Sequence, residues 1–203
     1  MDELFIGSAL CEVTSGGEIL LPLAFHLTAR IRSPDGDLLV GLHEESSCLI
    51  VYDKGVAAQQ HYDNERRRAS YLGTNLDEHF TRQRRMYGFV EQVTLAPDGM
   101  MVLPSLIRER GRIGGAALLV ATGERFEIWD LDFVLERGPS ELVTLATLQL
   151  KQHLANEEQH DISLPRAGAP YRTPVIAPSG IRVQPVPPVR PRHDPVNRTA
   201  AIK

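Results

Sequence analysis

The stretch that decides the fold is Gly88–Asp130, GFVEQVTLAPDGMMVLPSLIRERGRIGGAALLVATGERFEIWD. Apolar and polar residues alternate from Phe89 to Leu95, which is typical of a strand, and the turn signal APDG ends this run. A second apolar run, MMVL, leads into Pro104, which favours the first turn of a short helix over SLIRER. Ala117–Thr122 and the closing run RFEIW then predict a hairpin. The predicted order is strand, strand, short helix, strand, strand.

The same order of elements occurs near the N-terminus. Leu10–Val13 and Glu18–Leu21 are predicted as two short strands joined as a hairpin by the turn TSGG. Pro22 again precedes a short helical run, LAFHLTA. Leu38–Leu42 and Cys48–Tyr52 then predict a second pair of strands around a polar loop.

These two stretches align as one unit that is used twice. Placing Pro22 on Pro104 also places Gly17 on Gly99, and it places the aromatic–aspartate pair YD of the first copy on the pair WD of the second. The first copy has five extra residues between its proline and its aromatic residue. Such self-similarity indicates an internal repeat.

Three further segments are predicted outside the two copies. Residues 54–87 are charged and lack strand alternation, which favours one or two surface helices. Asp130 or Asp132 can cap a helix, and Pro139 can begin another. One face of this last helix is predicted to hold Val143, Ala146, Leu150 and Leu154. Beyond Gln159 lie nine of the 14 prolines and few core residues, which predicts disorder.

The composition is that of a globular protein with a real hydrophobic core. The chain has 203 residues, of which 42% are apolar. No export signal or long apolar window occurs in the sequence, so we expect neither export nor membrane spanning and predict a cytoplasmic protein. Cys11 and Cys48 lack the number and spacing of a disulfide framework or a zinc site and predict reduced, partly buried thiols.

The net charge of −4 conceals two regions of opposite sign. Residues 1–164 hold 15 basic and 25 acidic side chains, whereas residues 165–203 hold 7 basic and 1 acidic. Global charge therefore does not indicate nucleic-acid binding. Any contact with DNA must come from local arginine clusters, from the tail or from several subunits acting together.

The double unit resembles the MraZ family of bacterial transcriptional regulators, which have two AbrB-like domains. Each copy has a turn glycine, an apolar strand that ends in Leu-Pro, and a closing aromatic–Asp pair. Family-like residues occur at FIG (5–7), CLIVY (48–52), LP (103–104), IR (107–108) and FEIWD (126–130). The similarity covers about residues 4–155, which is nearly the whole chain outside the tail.

The resemblance implies a mainly β fold of the α+β class. We expect a tandem AbrB-like, swapped-hairpin β-barrel that forms a pseudo-dimer within one chain. The implied segments are a first SpoVT-AbrB-like domain at 4–55, a helical connector at 56–87, a second SpoVT-AbrB-like domain at 88–132, C-terminal helices at 133–158 and a disordered, Pro/Arg-rich tail at 159–203.

The resemblance also implies a DNA-binding transcriptional regulator of the division and cell-wall gene cluster. The partners implied are double-stranded DNA and further copies of the chain in a ring-like homo-oligomer, with no membrane and no small-molecule substrate. We expect a nucleoid-associated protein with no cofactor.

The chain departs from the family at both turns. The family marks each turn with Asp-x-x-x-Arg, whereas here the corresponding segments are Thr14–Glu18 and Ala96–Met100, and both motifs are missing. An arginine there would bind a phosphate or a guanine edge, but Glu18 would repel the DNA backbone. An alternative function is therefore an MraZ-like oligomeric assembly or interaction protein whose DNA binding is lost or depends on the tail.

Two groups of residues are candidates for DNA contact. The first is the turn Thr14, Ser15, Gly16 and Gly17, whose hydroxyl and backbone amides can contact phosphate; a plain hairpin turn is the alternative. The second group is Arg66, Arg67, Arg84 and Arg85 of the connector, which could flank a groove or form a solvated charged surface. Arg108, Arg110 and Arg112 are equally ambiguous, and we expect Arg108 to form an ion pair at its helix end.

Other functional patterns are weak or absent. The tail arginines could add contacts to phosphates that do not depend on base sequence, or the tail could be inert. The seven histidines do not form an HExxH motif, and the chain has no Gly-x-Ser-x-Gly elbow and no phosphate-binding loop. We therefore predict no catalytic residue and no metal site.

Overall fold

A computed structural model describes residues 3–43, 45–70 and 76–163, with the backbone alone for 70 and 156–163. The strands are β1 (Ser8–Glu12), β2 (Glu18–Leu20), β3 (Asp37–Leu42), β4 (Leu49–Tyr52), β5 (Val90–Thr94), β6 (Met100–Val102), β7 (Ala116–Ala121) and β8 (Phe126–Asp130). The helices are α1 (Leu23–Arg32), α2 (Lys54–Ser70), α3 (Leu76–Gly88), α4 (Ser105–Gly111), α5 (Leu131–Arg137) and α6 (Ser140–Ser163). The predicted α+β class is confirmed, as is the prediction of helices over 54–87.

Every strand of the first set, β1–β4, pairs with a strand of the second set, β5–β8. Six strands form an antiparallel sheet in the order β1-β7-β8-β4-β3-β5, and β2 pairs with β6 in a separate ribbon. The central pair is β4 with β8, in which Leu49 lies opposite Ile128 and Val51 lies opposite Phe126. On either side of this pair, β1 joins β7 and β5 joins β3. The sheet therefore cannot be completed by either strand set alone.

The prediction of a closed barrel is wrong. The six-stranded sheet is open, and β1 and β5 form its edges. The predicted hairpin of β1 with β2 is confirmed only next to its turn, where Thr14 N donates to Glu18 O over 3.0 Å and an antiparallel bridge joins Val13 to Ile19. After the turn, β2 pairs with β6 instead, and Leu103 N donates to Gly17 O over 2.8 Å. Strands β2 and β6 thus form a separate two-stranded ribbon and do not close the six-stranded sheet.

One face of the sheet carries the main core under α1 and α4. Three aromatic side chains meet there, since the ring of Phe126 lies 5.0 Å from that of Phe5 and 5.3 Å from that of Phe25. All three are buried, and such ring pairs add stability beyond the area that they bury. Both helices begin directly after a proline, Pro22 or Pro104, as the sequence predicts.

The opposite face of the sheet is covered in two parts. Over β7 and β8, helices α5 and α6 complete an apolar cluster of Cys48, Leu118, Trp129, Leu131, Val134, Leu142 and Ala146. Over β3 and β4, a smaller cluster of Ile50, Tyr52 and Val56 lies against α2. Neighbouring residues such as Leu118 and Leu119 belong to clusters on opposite faces, as strand geometry requires.

Helix α6 presents a different face from the one predicted. Ala146 is buried and Leu150 packs against the cluster, but Leu142 takes the buried position expected for Val143. Leu154 is exposed. Helix α6 also continues to Ser163, past the predicted start of the tail at 159, and the rest of that predicted tail lies outside the described residues.

An aspartate at the end of β8 and another directly after β4 each cap the helix that follows. Asp130 Oδ1 accepts from Phe133 N over 2.8 Å, and its Oδ2 accepts from Gly114 N over 2.9 Å. Asp53 Oδ1 accepts from Val56 N over 3.0 Å, and its Oδ2 pairs with Arg32 Nε over 2.6 Å. The prediction that Asp130 or Asp132 is a cap is thus confirmed for Asp130.

Among the described residues, no helix has both the length and the apolar character that crossing a membrane requires.

Candidate nucleic-acid interface

The turn Thr14–Gly17 is exposed at its tip and fixed at its base. Gly17 N donates to Thr14 O over 2.8 Å, and Glu18 N donates to Thr14 Oγ1 over 3.0 Å. Thr14, Ser15 and Gly16 are exposed, whereas Gly17 is buried. A β-carbon at Gly17 would lie 2.7 Å from Leu103 O, and its φ of +87° also favours glycine. Gly17 therefore has a structural role, and the first three residues face solvent.

The Glu18 carboxylate is folded back onto its own turn. Thr14 Oγ1 donates to Glu18 Oε2 over 3.1 Å. Both residues are exposed, so the negative charge remains at the surface. The side chain that stands in place of the family arginine thus stabilises the turn locally and opposes an approaching phosphate.

Arg108 of α4 brings a positive charge to this turn from the other strand set. Its Nη1 donates to Thr14 O over 3.0 Å and to Ser15 O over 2.9 Å. The predicted ion pair of Arg108 at its helix end is wrong, because among the described residues no carboxylate lies within 4.0 Å of its guanidinium. Nothing in the local sequence indicates a contact across 94 residues; pairing of β2 with β6 creates it.

An open groove of about 730 Å³ lies beside the turn. The turn residues Thr14 and Ser15 line one part of it, and Arg108 and Arg112 of the α4 region line another. Arg112 is exposed and holds a left-handed conformation at the end of α4, with φ 56°. Arg110, in contrast, lies over the Phe89 ring at 5.5 Å and does not line the groove. Backbone polar groups, a serine hydroxyl, two arginines and the carboxylate of Glu109 therefore converge at one surface.

The second turn has a different partner beneath it. Asp98 Oδ1 accepts from Met100 N over 3.0 Å. A β-carbon at Gly99 would lie 3.1 Å from Nδ1 of His26, which aligns with Arg108. A permanently charged guanidinium thus supports the first turn, whereas an imidazole lies against the second. The two turns differ in their capacity to attract an anion.

The structure separates the four connector arginines into two pairs. Arg67 and Arg85 line one cavity together with Arg82 and Arg125. All four connector arginines are exposed, but Arg66 and Arg84 do not line this cavity, and Arg84 Nη2 donates to Thr81 Oγ1 over 3.0 Å. This cavity shares no residue with the groove beside the first turn.

The two cysteines are poor nucleophiles at neutral pH. Burial raises the pKa of Cys11 to about 12. Burial, with a smaller contribution from the charge of Glu127, also raises the pKa of Cys48. Both thiols therefore remain protonated near pH 7. Within the described part of the chain, no three His, Cys, Asp or Glu side chains are grouped so that they could hold a metal ion.

Comparison with known proteins identifies similar regulators in several bacteria. The transcriptional regulator MraZ of Coxiella burnetii is 27% identical over 131 residues, which cover 62% of this chain and 79% of the relative. MraZ of Nitrosococcus oceani is 26% identical over 161 residues, which cover 75% and 97% of the two chains. MraZ of Shewanella baltica is 23% identical over 163 residues, covering 79% and 100%. No family model matches the chain. These relatives confirm the resemblance that the sequence predicts.

Proposed function

We propose that this chain, a divergent relative of the MraZ regulators, is a transcriptional regulator that binds double-stranded DNA through its first turn and the arginines of α4. The single observation that carries the proposal is the contact of Arg108 with Thr14 O and Ser15 O. It brings a cation to the turn, although the turn lacks the arginine of the family motif.

The groove offers the kinds of groups that contact a phosphate backbone. The exposed Ser15 hydroxyl can donate directly, and Arg108 and Arg112 supply charge. Arginines hold phosphate with a planar fork of donors, which suits a surface that follows a DNA backbone. The connector arginines Arg66, Arg67, Arg84 and Arg85 are a separate candidate contact with DNA, because α2 and α3 line a cavity that shares no residue with this groove.

The proposal includes assembly of several copies. Leu23, Leu27 and Ile31 repeat every four residues along α1, and all three are exposed. An apolar row on one helix is typical of a protein–protein contact. In the proposed ring-like homo-oligomer, the Thr14–Gly17 turns of several copies would contact one duplex at the same time, which raises the overall affinity.

Three further features belong to the proposal. The strand exchange between the two sets supports a swapped-hairpin pseudo-dimer of the domains 4–55 and 88–132. The regulated genes would be the division and cell-wall cluster. The protein would then act in the cytoplasm on the nucleoid, without a catalytic step.

Fluorescence anisotropy with the full chain and a duplex from upstream of its own gene cluster tests the proposal. We expect binding that weakens steeply with salt, because phosphate contacts release counterions. The double variant Arg108→Gln, Arg112→Gln should bind about tenfold more weakly and with a shallower salt slope. Arg110→Gln is the matched control and should behave as the wild type, since Arg110 lies over Phe89. Glu18→Gln should bind more tightly.

Absence of duplex binding at low salt, with folding verified by circular dichroism, would contradict the proposal. The alternative function is an oligomeric assembly or interaction protein whose DNA binding is lost or depends on the tail. The acidic balance of residues 1–164 and the apolar row on α1 favour it. If removal of residues 160–203 abolishes binding while the double arginine variant binds normally, this alternative replaces the proposed interface.

A further inference from the structure

A second cavity lies between the connector helices and the sheet. It has a volume of about 310 Å³, which is at the lower end of the range for small-molecule sites. Helices α2 and α3 form one wall, and strands β3, β4 and β5 supply residues of the other. The cavity is separate from the groove beside the first turn, since no lining residue is shared.

Four arginines from three parts of the fold line this cavity: Arg67, Arg82, Arg85 and Arg125. Arg82 contacts Glu78 over 3.3 Å. Among the described residues, neither Arg85 nor Arg125 has a carboxylate within 4.0 Å. The acidic lining residues are Glu45 and Asp63, so the arginines outnumber them. The cavity therefore has a positive balance that suits an anion.

Asn64 is the second and independent indication of a ligand. It lines the cavity and is only 3% exposed. Neither its Nδ2 nor its Oδ1 has a hydrogen-bond partner among the described residues. Leaving a buried amide unpaired is costly, so such a group requires an explanation. Less than 1 Å² of either atom is exposed, so a ligand with both a hydrogen-bond acceptor and a donor would satisfy them once the side chain turns toward the cavity.

His43 adds a donor with a defined tautomer. Its Nδ1 accepts from Glu45 N over 3.1 Å and from Ser46 N over 3.0 Å. The neutral ring must then carry its proton on Nε2, which can donate to an anion. His43 lines the same cavity as the arginines.

The remaining lining is apolar apart from Gln60 of α2. Ile50 and Tyr52 of β4 contribute from the sheet, and Met86 and Val90 contribute from the end of α3 and from β5. Such a combination of an apolar wall with a few convergent polar groups is typical of sites for small organic molecules. An inorganic ion alone would leave this wall without a partner.

We infer that this cavity binds a small organic anion, in which a phosphate or carboxylate group contacts Arg85 and Arg125 and an apolar part lies against Tyr52 and Met86. The Asn64 amide hydrogen-bonds to the ligand inside the cavity. A DNA duplex does not fit, because Asn64 is buried and the volume is that of a small molecule. This inference goes beyond the proposed function, because it assigns a ligand to a cavity that shares no residue with the proposed DNA surface.

Isothermal calorimetry of the full chain without DNA tests the inference. Phenyl phosphate and benzoate are the anionic probes. Phenol supplies only the apolar part of the expected ligand, and inorganic phosphate supplies only the anionic group. We expect saturable binding of at least one anionic probe and weaker binding of phenol and inorganic phosphate. The double variant Arg85→Gln, Arg125→Gln should weaken that binding about tenfold or more, since two charge-assisted contacts are lost. Arg84→Gln is the matched control and should bind as the wild type.

Asn64→Leu separates a ligand role from a packing role. The variant should retain the fold by circular dichroism but bind the anionic probe about tenfold more weakly, because the amide contacts are lost. Equal affinity in the wild type, the double arginine variant and Asn64→Leu would overturn the inference, as would a lack of saturable binding at millimolar probe. Loss of duplex affinity in the double arginine variant with unchanged probe binding would assign these arginines to DNA instead.

Discussion

Strands β4 and β8 lie side by side at the centre of the sheet, yet different surroundings cover them. Over β8, Trp129 is buried in an apolar cluster with residues of α5 and α6. Over β4, the aligned residue Tyr52 is also buried, but it borders the arginine-lined cavity under α2 and α3. One pattern of strands thus supports a closed apolar layer on one side and a charged cavity on the other.

This difference shows which half of the fold contributes more to stability and which half has room for a ligand. The apolar half buries α5 and α6 against the sheet, which contributes stability in proportion to the area removed from water. The α2 half has a smaller cluster and an amide that has no hydrogen-bond partner in the described part of the chain. Low packing and unpaired polar groups reduce local stability, and they are common features of binding sites. Three matched pairs of substitutions compare the first strand set with the second.

The largest difference is expected between the two capping aspartates. Here the substitution in the α2 half should cost more stability than the one in the apolar half. Asp53→Ala breaks a buried ion pair, in which the side chains of Arg32 and Asp53 are 9% and 8% exposed. An unpaired buried arginine should cost about 3–5 kcal/mol of unfolding free energy. Asp130→Ala loses hydrogen bonds to two backbone amides, a cost of about 1–2 kcal/mol. Urea denaturation of both variants measures the difference, and equal losses would contradict the assigned role of Arg32.

The second pair compares leucines that face the two coverings. Leu118 pairs with Trp129 and is buried, whereas Leu39 pairs with Tyr52 and is only half-buried. Leu118→Ala should cost about 2–5 kcal/mol, because it leaves a cavity in a close-packed cluster. Leu39→Ala should cost clearly less, since its surroundings are already partly open. Thermal and urea unfolding measure both losses. A larger loss for Leu39→Ala would show that the α2 half is packed as tightly as the other half.

The smallest difference is expected between the two turn glycines. Gly17 and Gly99 both have positive φ, so an alanine at either position costs about 1–3 kcal/mol. A β-carbon at Gly17 would meet the backbone oxygen of Leu103, whereas at Gly99 it would meet the His26 side chain, which can move. Gly17→Ala should therefore be the more destabilising variant in urea denaturation. The reverse order would mean that Leu103 shifts more easily than the His26 ring.

The local elements of this fold follow from the sequence, but the strand partners do not. Alternating apolar residues predict β5, and a proline predicts the start of α4, because both signals act over a few residues. The pairing of β1 with β7 rather than β2 has no local signal, since the same alternation suits either partner. The expectation of a closed barrel failed for this reason.

The candidate sites show the same limit. Glycines identify the turn Thr14–Gly17, whereas the position of Arg108 beneath it depends on a pairing made far along the chain. The arginine runs of the connector are visible in the sequence. That Arg67 and Arg85 line a cavity while Arg66 and Arg84 do not depends on the rotation of α2 and α3 against the sheet. The unpaired amide of Asn64 has no sequence signal at all.

The exchange of strands between the two sets has a consequence for synthesis on the ribosome. Strand β1 pairs with β7, and Ser8 lies opposite Val120, more than one hundred residues later. Strands β1 and β2 thus emerge without their ladder partners, and the β3–β4 pair remains incomplete until β5 and β8 have been translated. Folding that waits for distant contacts is slow and leaves apolar strands open to association. The nascent first set therefore exposes strand edges that pairing with the second set later covers.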